Sequence, residues 1–336
     1  MAFRADLKVK SIILKDHSIF QSWVSSIDLE KIRVTQFPSY IFLCGGRISA
    51  THESFDSCRD IFYTYIKKNN CSFSENIVLA EDVIGYFEDT DYKDLLSFEK
   101  DLASLSLLTV IFSESPGAIA ELGSFSVLEY IQDRLLIVLH TEHSYDQNSF
   151  IWRGPISYLK GIAKEKGSDD PVLIYKWKKI DPCSDGQCLE YSDFSDASDL
   201  SEYIEGVIKK RNKSITFNKG DVGHIMLFIA SVLNVIQIVT VEEMNKLLYS
   251  FGFERKISEV KKYLDMLVSL KLISLAPYRN YKFFVANSPQ KDWLKWGYHK
   301  SGDKDRWSAR FLEYYEEYQK EKFRALRSYF NSRRTE

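Results

Sequence analysis

The 336-residue sequence lacks the segments that would carry a protein into or across a membrane. Its first residues, MAFRADLKVKS, contain no apolar core of the kind that signal peptides have. The most apolar stretch, residues 225–239, is interrupted by Ser231, Asn234 and Gln237 and is too short to span a bilayer. These absences predict a cytoplasmic protein that has no membrane partner.

Cysteine and histidine are scarce, and neither shows the spacing of a metal site. The five cysteines are odd in number and irregularly spaced, and Cys183 and Cys188 are too far apart for a Cys-x2-Cys zinc knuckle. His52, His140 and His143 are scattered without metal-ligand spacing. We therefore expect reduced, mostly buried thiols and no bound metal.

Charge is balanced over the whole chain but not within its halves. Residues 1–204 hold 20 Lys and Arg against 32 Asp and Glu, whereas residues 205–336 hold 25 against 15. The net charges of −12 and +10 favour a catalytic unit joined to a unit that binds a polyanion. A chance imbalance on two solvated surfaces is the alternative reading.

The first half alternates continuous apolar runs with segments of helical spacing. The predicted strands are residues 40–44, 76–80, 107–112, 135–139 and 172–175. The predicted helices between them are residues 55–68, 95–105 and 118–131. Strands that are apolar throughout indicate a parallel sheet covered on both faces, so the fold class is α/β, Rossmann-like or flavodoxin-like. Such sheets bind ligands beyond the carboxyl ends of their strands, where loops 45–49, 81–82 and 113–117 should meet.

The second half has the element order of a winged helix-turn-helix domain. Three helices are predicted, over residues 221–237, from an N-cap at Thr240 to residue 249, and over 254–270. A β-hairpin follows at 272–285, and one long helix that ends basic is predicted from Lys304 to Arg334. The predicted domains are an N-terminal helical segment (1–36), the α/β domain (37–200), the winged helix (201–290) and the tail (291–336).

The segment Ser-Glu-Ser-Pro-Gly-Ala-Ile-Ala-Glu-Leu-Gly-Ser, residues 113–124, carries the candidate chemistry. Gly117 would let backbone amides approach a ligand at the start of a helix, where the dipole favours anions. Glu121 falls about one turn into that helix and should face the crevice, where a carboxylate can attack the anomeric carbon of a sugar. An acid that only matches the helix dipole remains the alternative.

Residues in the other loops are candidate contacts for the same substrate. Gly45 and Gly46 would let the first loop approach phosphate or ribose, and Arg47 could bind a diphosphate. A plain turn and a solvated charge are the alternatives.

Three acids and a serine complete the predicted substrate site. Glu81 and Asp82 could bind ribose hydroxyls, although Asp82 is equally suited to a helix N-cap. Glu99 should lie near the crevice, with a surface acid as the alternative, and Ser115 could donate a hydrogen bond to the ligand.

Basic residues of the second half are candidate contacts for nucleic acid. Lys256, Lys261 and Lys262 lie on the third predicted helix, and Arg279 and Lys282 lie in the hairpin. The tail adds Lys320, Lys322, Arg324, Arg327, Arg333 and Arg334. Phosphate contacts from such residues would be salt-sensitive and largely independent of sequence. The sequence supports use of the winged helix for protein docking equally with direct contact to DNA.

The order of four segments resembles that of nucleoside 2-deoxyribosyltransferase-like domains. The segments are IFLCGG (41–46), AED (80–82), LLSFEKDLA (95–103) and TVIFSESPGAIAELGSFS (109–126). With a winged helix after them, the arrangement is similar to the toxic effectors of bacterial retrons. The resemblance implies an N-glycosidase domain over residues 37–200, with Glu121, two residues before Gly123, as the nucleophile.

The chain departs from the transferase pattern at one place. Where that family has Asp-Ser-Gly-Thr, this chain has Ser115-Pro116-Gly117-Ala118, so the acid that assists the leaving base is missing. Adenine or cytosine leaves poorly without a proton donor, whereas the nicotinamide of NAD is already cationic and leaves as a neutral molecule. We therefore expect NAD as the substrate, with nicotinamide release and no separate cofactor, in agreement with the NAD hydrolysis attributed to such retron effectors.

The resemblance also implies partners and a biological role. Retron effectors are held inactive by a complex of reverse transcriptase and msDNA, a DNA–RNA hybrid, and act in antiphage defence by abortive infection. Self-association into a higher-order assembly is a further expectation. Two other functions stay open: a nucleoside or nucleotide N-glycosidase or deoxyribosyltransferase, and a non-enzymatic DNA-binding regulator.

Overall fold

A computed structural model describes most of the chain, which forms two compact units. The described residues are 18–49, 54–79, 81–82, 90–145, 147–178, 188–211, 214–287, 291–300 and 302–332. The first unit comprises residues 37–213 and 220–223, and the second comprises residues up to 36, 214–219 and those from 224 on. Residues named above at positions 1–17, 52, 80, 183, 333 and 334 lie outside the described residues.

The first unit is built on a five-stranded parallel sheet, as the apolar runs predict. The strands are β1 (Ile41–Cys44), β2 (Ile77–Leu79), β3 (Leu108–Phe112), β4 (Leu135–His140) and β5 (Val172–Tyr175). Their order is β2-β1-β3-β4-β5, with parallel pairing throughout. The direction of winding reverses between β1 and β3, and in sheets of this kind ligands bind at that reversal.

In the described part of this unit, α-helices connect or cover the strands. They are α1 (Cys58–Lys68), α2 (Leu95–Leu105), α3 (Pro116–Ser126), α4 (Glu129–Gln132), α5 (Thr141–Tyr145), α6 (Ser157–Lys166) and α7 (Ala197–Arg211). The prediction of one helix over 118–131 is wrong, because the chain leaves the helix after Ser126 and the side chain of Gln132 donates to the Ser126 carbonyl at 2.9 Å. The domain boundary predicted near residue 200 falls inside α7.

Burial on both faces explains why the strands are apolar throughout. Every residue of β3 and β4 is buried. Val110 and Phe112 join Phe62 of α1 and Leu200 of α7 in one core cluster. Neighbouring strand residues point to opposite faces, so Ile111 is buried on the other side of the sheet.

The second unit contains three helices followed by an antiparallel hairpin, in the predicted order. Its elements are α8 (Val222–Ile236, of which 224–236 belong to this unit), α9 (Val241–Ser250), α10 (Ile257–Ser269), β6 (Ile273–Tyr278) and β7 (Tyr281–Ala286). A short strand, Ile238–Val239, pairs with β7. Thr240 caps α9 as predicted: its hydroxyl accepts from the Glu243 amide at 3.3 Å, and the Glu243 carboxylate accepts from the Thr240 amide at 2.9 Å.

The prediction of a single C-terminal helix is wrong. Two helices, α11 (Lys304–Tyr318) and α12 (Lys320–Ser332), are separated at Gln319, whose backbone is not helical. After this break α12 packs on β6, and Lys322 is buried. Its ammonium lies 2.7 Å from the Glu243 carboxylate and 5.2 Å from the centre of the Tyr315 ring.

Residues 18–36 belong to the second unit and contribute both a helix and a strand. Helix Ser18–Ser26 buries Trp23, whose ring lies 5.4 Å from that of Phe251 and 5.8 Å from that of Phe311. The strand is the centre of a small sheet, in the order 294–295, 33–34, 215–216. Among the residues described, none of the helices has both the length and the apolar composition needed to cross a bilayer.

Candidate functional site

The two glycines after β1 allow the chain to pass close to the start of α1. A β-carbon on Gly45 would lie 2.8 Å from Cδ of Arg59, and one on Gly46 would lie 2.5 Å from Cβ of Ser57. Both contacts are shorter than side chains permit, so this packing already requires glycine at both positions. Their predicted role in approaching phosphate or ribose stays a prediction.

Glu114 holds this loop to α1, and the sequence analysis missed it. Its Oε1 accepts from the amides of Gly46 and Arg59, each at 3.0 Å, and its Oε2 accepts from the Cys58 amide at 2.7 Å. Burial raises the pKa of Glu114, although the three hydrogen bonds act to lower it. The carboxylate takes the position at the start of a helix that an anionic ligand can also occupy. An acid in the loop directly after a buried strand was the available signal.

The start of α3 is formed by Ser115, Pro116 and Gly117. The Ser115 hydroxyl accepts from the Ala118 amide at 3.1 Å and donates to the Gly45 carbonyl at 3.2 Å. The Ser115 hydroxyl therefore donates its hydrogen bond within the protein, whereas the sequence predicted that it would donate to a ligand. Gly117 is exposed in the first turn, and a β-carbon there would meet only the Ser115 hydroxyl, at 3.9 Å.

Glu121 of α3 lies beside Glu99 of α2 and Cys44 at the carboxyl end of β1. The Glu121 carboxyl lies close enough to the Cys44 thiol and the Glu99 carboxyl for these groups to shift one another's pKa. Its Oε2 atom is shielded from solvent and has no further partner among the described residues. The structure therefore brings together two predicted site acids from different helices.

Burial is the largest cause of the altered acidity of both carboxyls. It raises the pKa of Glu121; the charge of Glu81 adds to this effect, and the hydrogen bonds from Cys44 and Glu99 and the charge of Arg59 oppose it. Burial and the charges of Glu121 and Glu81 raise the pKa of Glu99 to about 7. Two adjacent carboxyls of this kind share a proton, so one can be a carboxylate while the other is an acid.

Arg59 is the cation of this cluster. Its guanidinium is buried, donates to the Leu43 carbonyl at 3.0 Å and pairs with the carboxylate of Glu81, which is itself 47% exposed. Glu81 thus contacts a protein cation, whereas the prediction placed it on ribose. Asp82, the next residue, is exposed.

Three further predicted substrate residues line a cleft of about 730 Å³ whose lining does not include Glu121. Gly46, Arg47 and Ser115 line it together with His143 and Trp177. Arg47 is exposed, and only its carbonyl, which accepts from the Ser57 hydroxyl at 2.6 Å, is bound to α1. Of the predicted substrate residues, Glu81 and Glu99 therefore lie in the carboxyl cluster around Glu121, whereas Gly46, Arg47 and Ser115 line the cleft, and Gly45, Asp82 and Gly117 belong to neither group.

The described residues contain no group of three or more His, Cys, Asp and Glu side chains suited to a metal ion. Cys44 and Cys58 are buried, Cys71 is partly buried and Cys188 is exposed, and no disulfide joins any of these four described cysteines. Burial raises the pKa of the Cys44 and Cys58 thiols well above the usual value. Neither thiol is therefore a nucleophile at neutral pH.

The lysines predicted to contact nucleic acid on α10 differ in their surroundings. Lys256 is exposed at the N-cap position. Lys261 is partly buried and lies 3.3 Å from the carboxylate of Asp265, and Lys262 is partly buried as well. Pairing with a carboxylate weakens the field that a cation presents to a phosphate, so Lys256 is the best placed of the three.

The hairpin residues differ in the same way. Arg279 lies at the turn with φ of 53° and pairs with Glu321 of α12 at 2.7 Å. Lys282 is exposed on β7. In the tail, Lys322 is buried against Glu243, so it cannot make the phosphate contact predicted for it.

Comparison with known proteins identifies the family. The family model described as STM3845 retron effector protein matches residues 56–275, more than half of the chain. The chain is 28% identical over 247 residues to the "Retron Ec73 putative ribosyltransferase/DNA-binding protein" of Escherichia coli, covering 70% of this chain and 74% of that protein. It is also 28% identical over 190 residues to the "Retron Ec86 putative ribosyltransferase/DNA-binding protein" of the same organism, covering 55% of each. This chain belongs to the STM3845 retron effector protein family.

Proposed function

We propose that this retron effector is an N-glycosidase that hydrolyses NAD and uses Glu121 as its nucleophile. The observation that carries the proposal is the pairing of Glu121 with Glu99 at the carboxyl edge of the sheet, beside β1. The enclosed Oε2 atom of Glu121 supports it, because a buried oxygen without a partner is costly unless a ligand or a reaction uses it. In this proposal the first unit is a nucleoside deoxyribosyltransferase-like domain.

The first chemical step needs no proton. The Glu121 carboxylate attacks C1′ of the ribose that bears nicotinamide, and the electrons of the C–N bond pass to the ring, which leaves as neutral nicotinamide. A ribosyl ester on Glu121 remains. Glu99 keeps its proton during this step and stabilises the attacking carboxylate by a hydrogen bond.

The second step uses a change in the charge beside Glu99. Once Glu121 is an ester, it no longer carries the negative charge that raises the pKa of Glu99. Burial continues to raise the pKa of Glu99, but loss of this charge lowers it. Once Glu99 has lost its proton to solvent, it takes a proton from water as the water oxygen attacks C1′, which releases ADP-ribose and the Glu121 carboxylate. A group with a pKa of about 7 suits this exchange at neutral pH.

The second unit supports the proposed partner. Three helices, a short strand and a hairpin match the winged-helix order, and residues 205–336 carry the net positive charge. The Ec73 and Ec86 proteins have DNA binding in their names. We propose that this unit docks on a reverse transcriptase–msDNA complex that keeps the toxin silent until infection, and that the released enzyme arrests infected cells.

The test compares Glu121→Gln with Glu129→Gln, an exposed acid in the neighbouring helix α4. Each purified protein is incubated with NAD, and nicotinamide and ADP-ribose are quantified by liquid chromatography. Glu121→Gln should lower the rate by about a thousandfold or more, because it removes the nucleophile. Glu129→Gln should keep the wild-type rate and wild-type toxicity. Unchanged NAD hydrolysis by Glu121→Gln would refute the mechanism, and continued killing by that variant would favour a non-enzymatic regulator.

One observation favours a second candidate function, cleavage of nucleosides or nucleotides. A nucleobase needs a proton donor to leave, and the Glu99 carboxyl provides one beside the nucleophile where the sequence motif lacks it. Incubation with deoxynucleosides separates the two activities by product. In this alternative Glu99→Gln abolishes release of the free base, whereas in the NAD mechanism it slows only the second step.

A further inference from the structure

A second cleft, of about 480 Å³, lies within the second unit and is not lined by any residue assigned a function above. Lys300, Arg306 and Arg310 supply three cations to it, and Tyr298 and Trp307 supply two aromatic rings. The opposite wall carries serine hydroxyls of helix Ser18–Ser26. We call it the Arg306 cleft.

The cations of the Arg306 cleft are available to a ligand. Lys300, Arg306 and Arg310 are exposed, and no ion pair joins any of them to a carboxylate among the described residues, although Asp303 also lines the cleft. The guanidinium carbon of Arg310 lies 4.4 Å from the centre of the Trp307 ring. This cation–π contact places a positive charge beside an aromatic ring that lines the cleft.

Backbone contacts hold the walls of the Arg306 cleft in place without a ligand. The amide of His299 donates to the Ser26 carbonyl at 3.0 Å, and the amide of Asp28 donates to the Gly297 carbonyl at 2.9 Å. Gly302 passes under the Tyr298 ring, where a β-carbon would lie 2.3 Å from a ring atom. Little ordering is therefore needed when a ligand binds.

We propose that the Arg306 cleft binds single-stranded nucleic acid. Arg306 and Lys300 bind backbone phosphates, and an unpaired base stacks on the Arg310–Trp307 surface. Binding without sequence preference commonly combines a cationic groove with stacking surfaces of this kind. The proposal rests on the nucleic-acid part of the proposed function and is independent of the glycosidase part.

The chemistry of the cleft favours a single strand over two other polyanions. The bases of a duplex are paired and stacked inside the double helix. They therefore cannot stack on the Arg310–Trp307 surface inside the Arg306 cleft. An acidic peptide would pair with the cations but would leave the Arg310–Trp307 surface unused. The site is also distinct from the exposed lysines Lys256 and Lys282 of α10 and the hairpin.

The test measures the fluorescence anisotropy of a labelled 12-nucleotide thymidine strand with the full-length protein. The cleft variant is Arg306→Gln with Arg310→Gln, two exposed positions on one helix. The matched control is Lys164→Gln with Lys209→Gln, which removes two exposed cations on α6 and α7 of the first unit that belong to no binding site assigned above. Binding is measured from low to physiological salt, and thermal unfolding checks that both variants fold.

The cleft variant should bind the strand about tenfold or more weakly, because it loses a stacking surface and two cations. The slope of log K against log salt should decrease by about 0.7, because the variant loses the one phosphate contact of Arg306 and each contact to a single strand contributes about 0.7. The control should change affinity less than twofold. Trp307→Phe should retain most of the affinity, because the stacking surface survives.

Three results would overturn the proposal. Equal losses in the cleft and control variants would mean that only general charge matters. Tighter binding of a 12-base-pair duplex through the same residues would mean a duplex site. Unchanged affinity in the cleft variant, with a loss in a Lys256→Gln, Lys282→Gln variant, would place nucleic acid on α10 and the hairpin and leave the proposed function intact.

Discussion

Replacing Glu114 with alanine tests whether one buried carboxylate fastens the loop after β1 to helix α1. The change removes the acceptor from the amides of Gly46, Cys58 and Arg59, which lie 2.7–3.0 Å from its oxygens. Each buried donor left without a partner costs about 1–3 kcal/mol. Burial raises the pKa of Glu114, which means that the charged carboxylate itself costs stability in the folded protein. Alanine removes that cost, so we use the lower limit, about 1 kcal/mol, for each donor. The free energy of unfolding should fall by about 3 kcal/mol.

Thermal unfolding followed by calorimetry measures this loss. For a unit of the size of the first, a loss of about 3 kcal/mol corresponds to a decrease in Tm of about 6–12 °C. Hydrogen exchange gives a local readout, because the three amides should exchange faster. Glu129→Ala, at an exposed helix acid, is the control and should change stability by less than about 0.5 kcal/mol. Equal stability of the Glu114→Ala and Glu129→Ala proteins, with unchanged exchange, would refute the reasoning.

Three further predictions concern stability. Gly223→Ala should lower the free energy of unfolding by about 1–3 kcal/mol, and therefore lower Tm, because the new β-carbon would lie 1.9 Å from the Ser104 carbonyl oxygen. Gly161→Ala lies in an exposed part of α6 and its β-carbon would meet no atom within 4 Å, so it should instead raise the free energy of unfolding by about 1 kcal/mol. Thr240→Ala removes the N-cap of α9 and should cost about 1 kcal/mol in urea unfolding; no change would mean that the capping bond contributes nothing. Burial raises the pKa of Glu99 from 4.5 to about 7, so the folded protein holds this proton more tightly and stability should fall as pH rises from 4.5 through 7; urea titrations at several pH values should show less of this fall in Glu99→Gln.

The sheet could be predicted from the sequence because burial on both faces leaves a continuous apolar run for each strand. The same reasoning placed the loops after β1, β2 and β3 at one edge, and the structure confirms that parallel arrangement. The helix cap at Thr240 was predictable because its partner is three residues away.

The parts that sequence reasoning missed depend on residues far apart in the chain. Glu114 bonds Gly46 and Cys58, which are 68 and 56 positions away, so no local pattern announces its role. The helix break at Gln319 accompanies a contact between two helices, that of Lys322 with Glu243, which no local pattern predicts. The pairing of Glu121 with Glu99 likewise requires the packing of α2 beside α3.

The carboxylate of Glu114 has a consequence for how a substrate can lie in this protein. Many nucleotide-binding sheets present the free amides of the helix after the first strand to a phosphate group. Here an internal anion already uses those amides, so a dinucleotide must place its diphosphate elsewhere, with the exposed Arg47 and the open first turn of α3 as the nearest donors. Selectivity for a phosphate-bearing substrate would then depend on one flexible guanidinium and not on a rigid helix end.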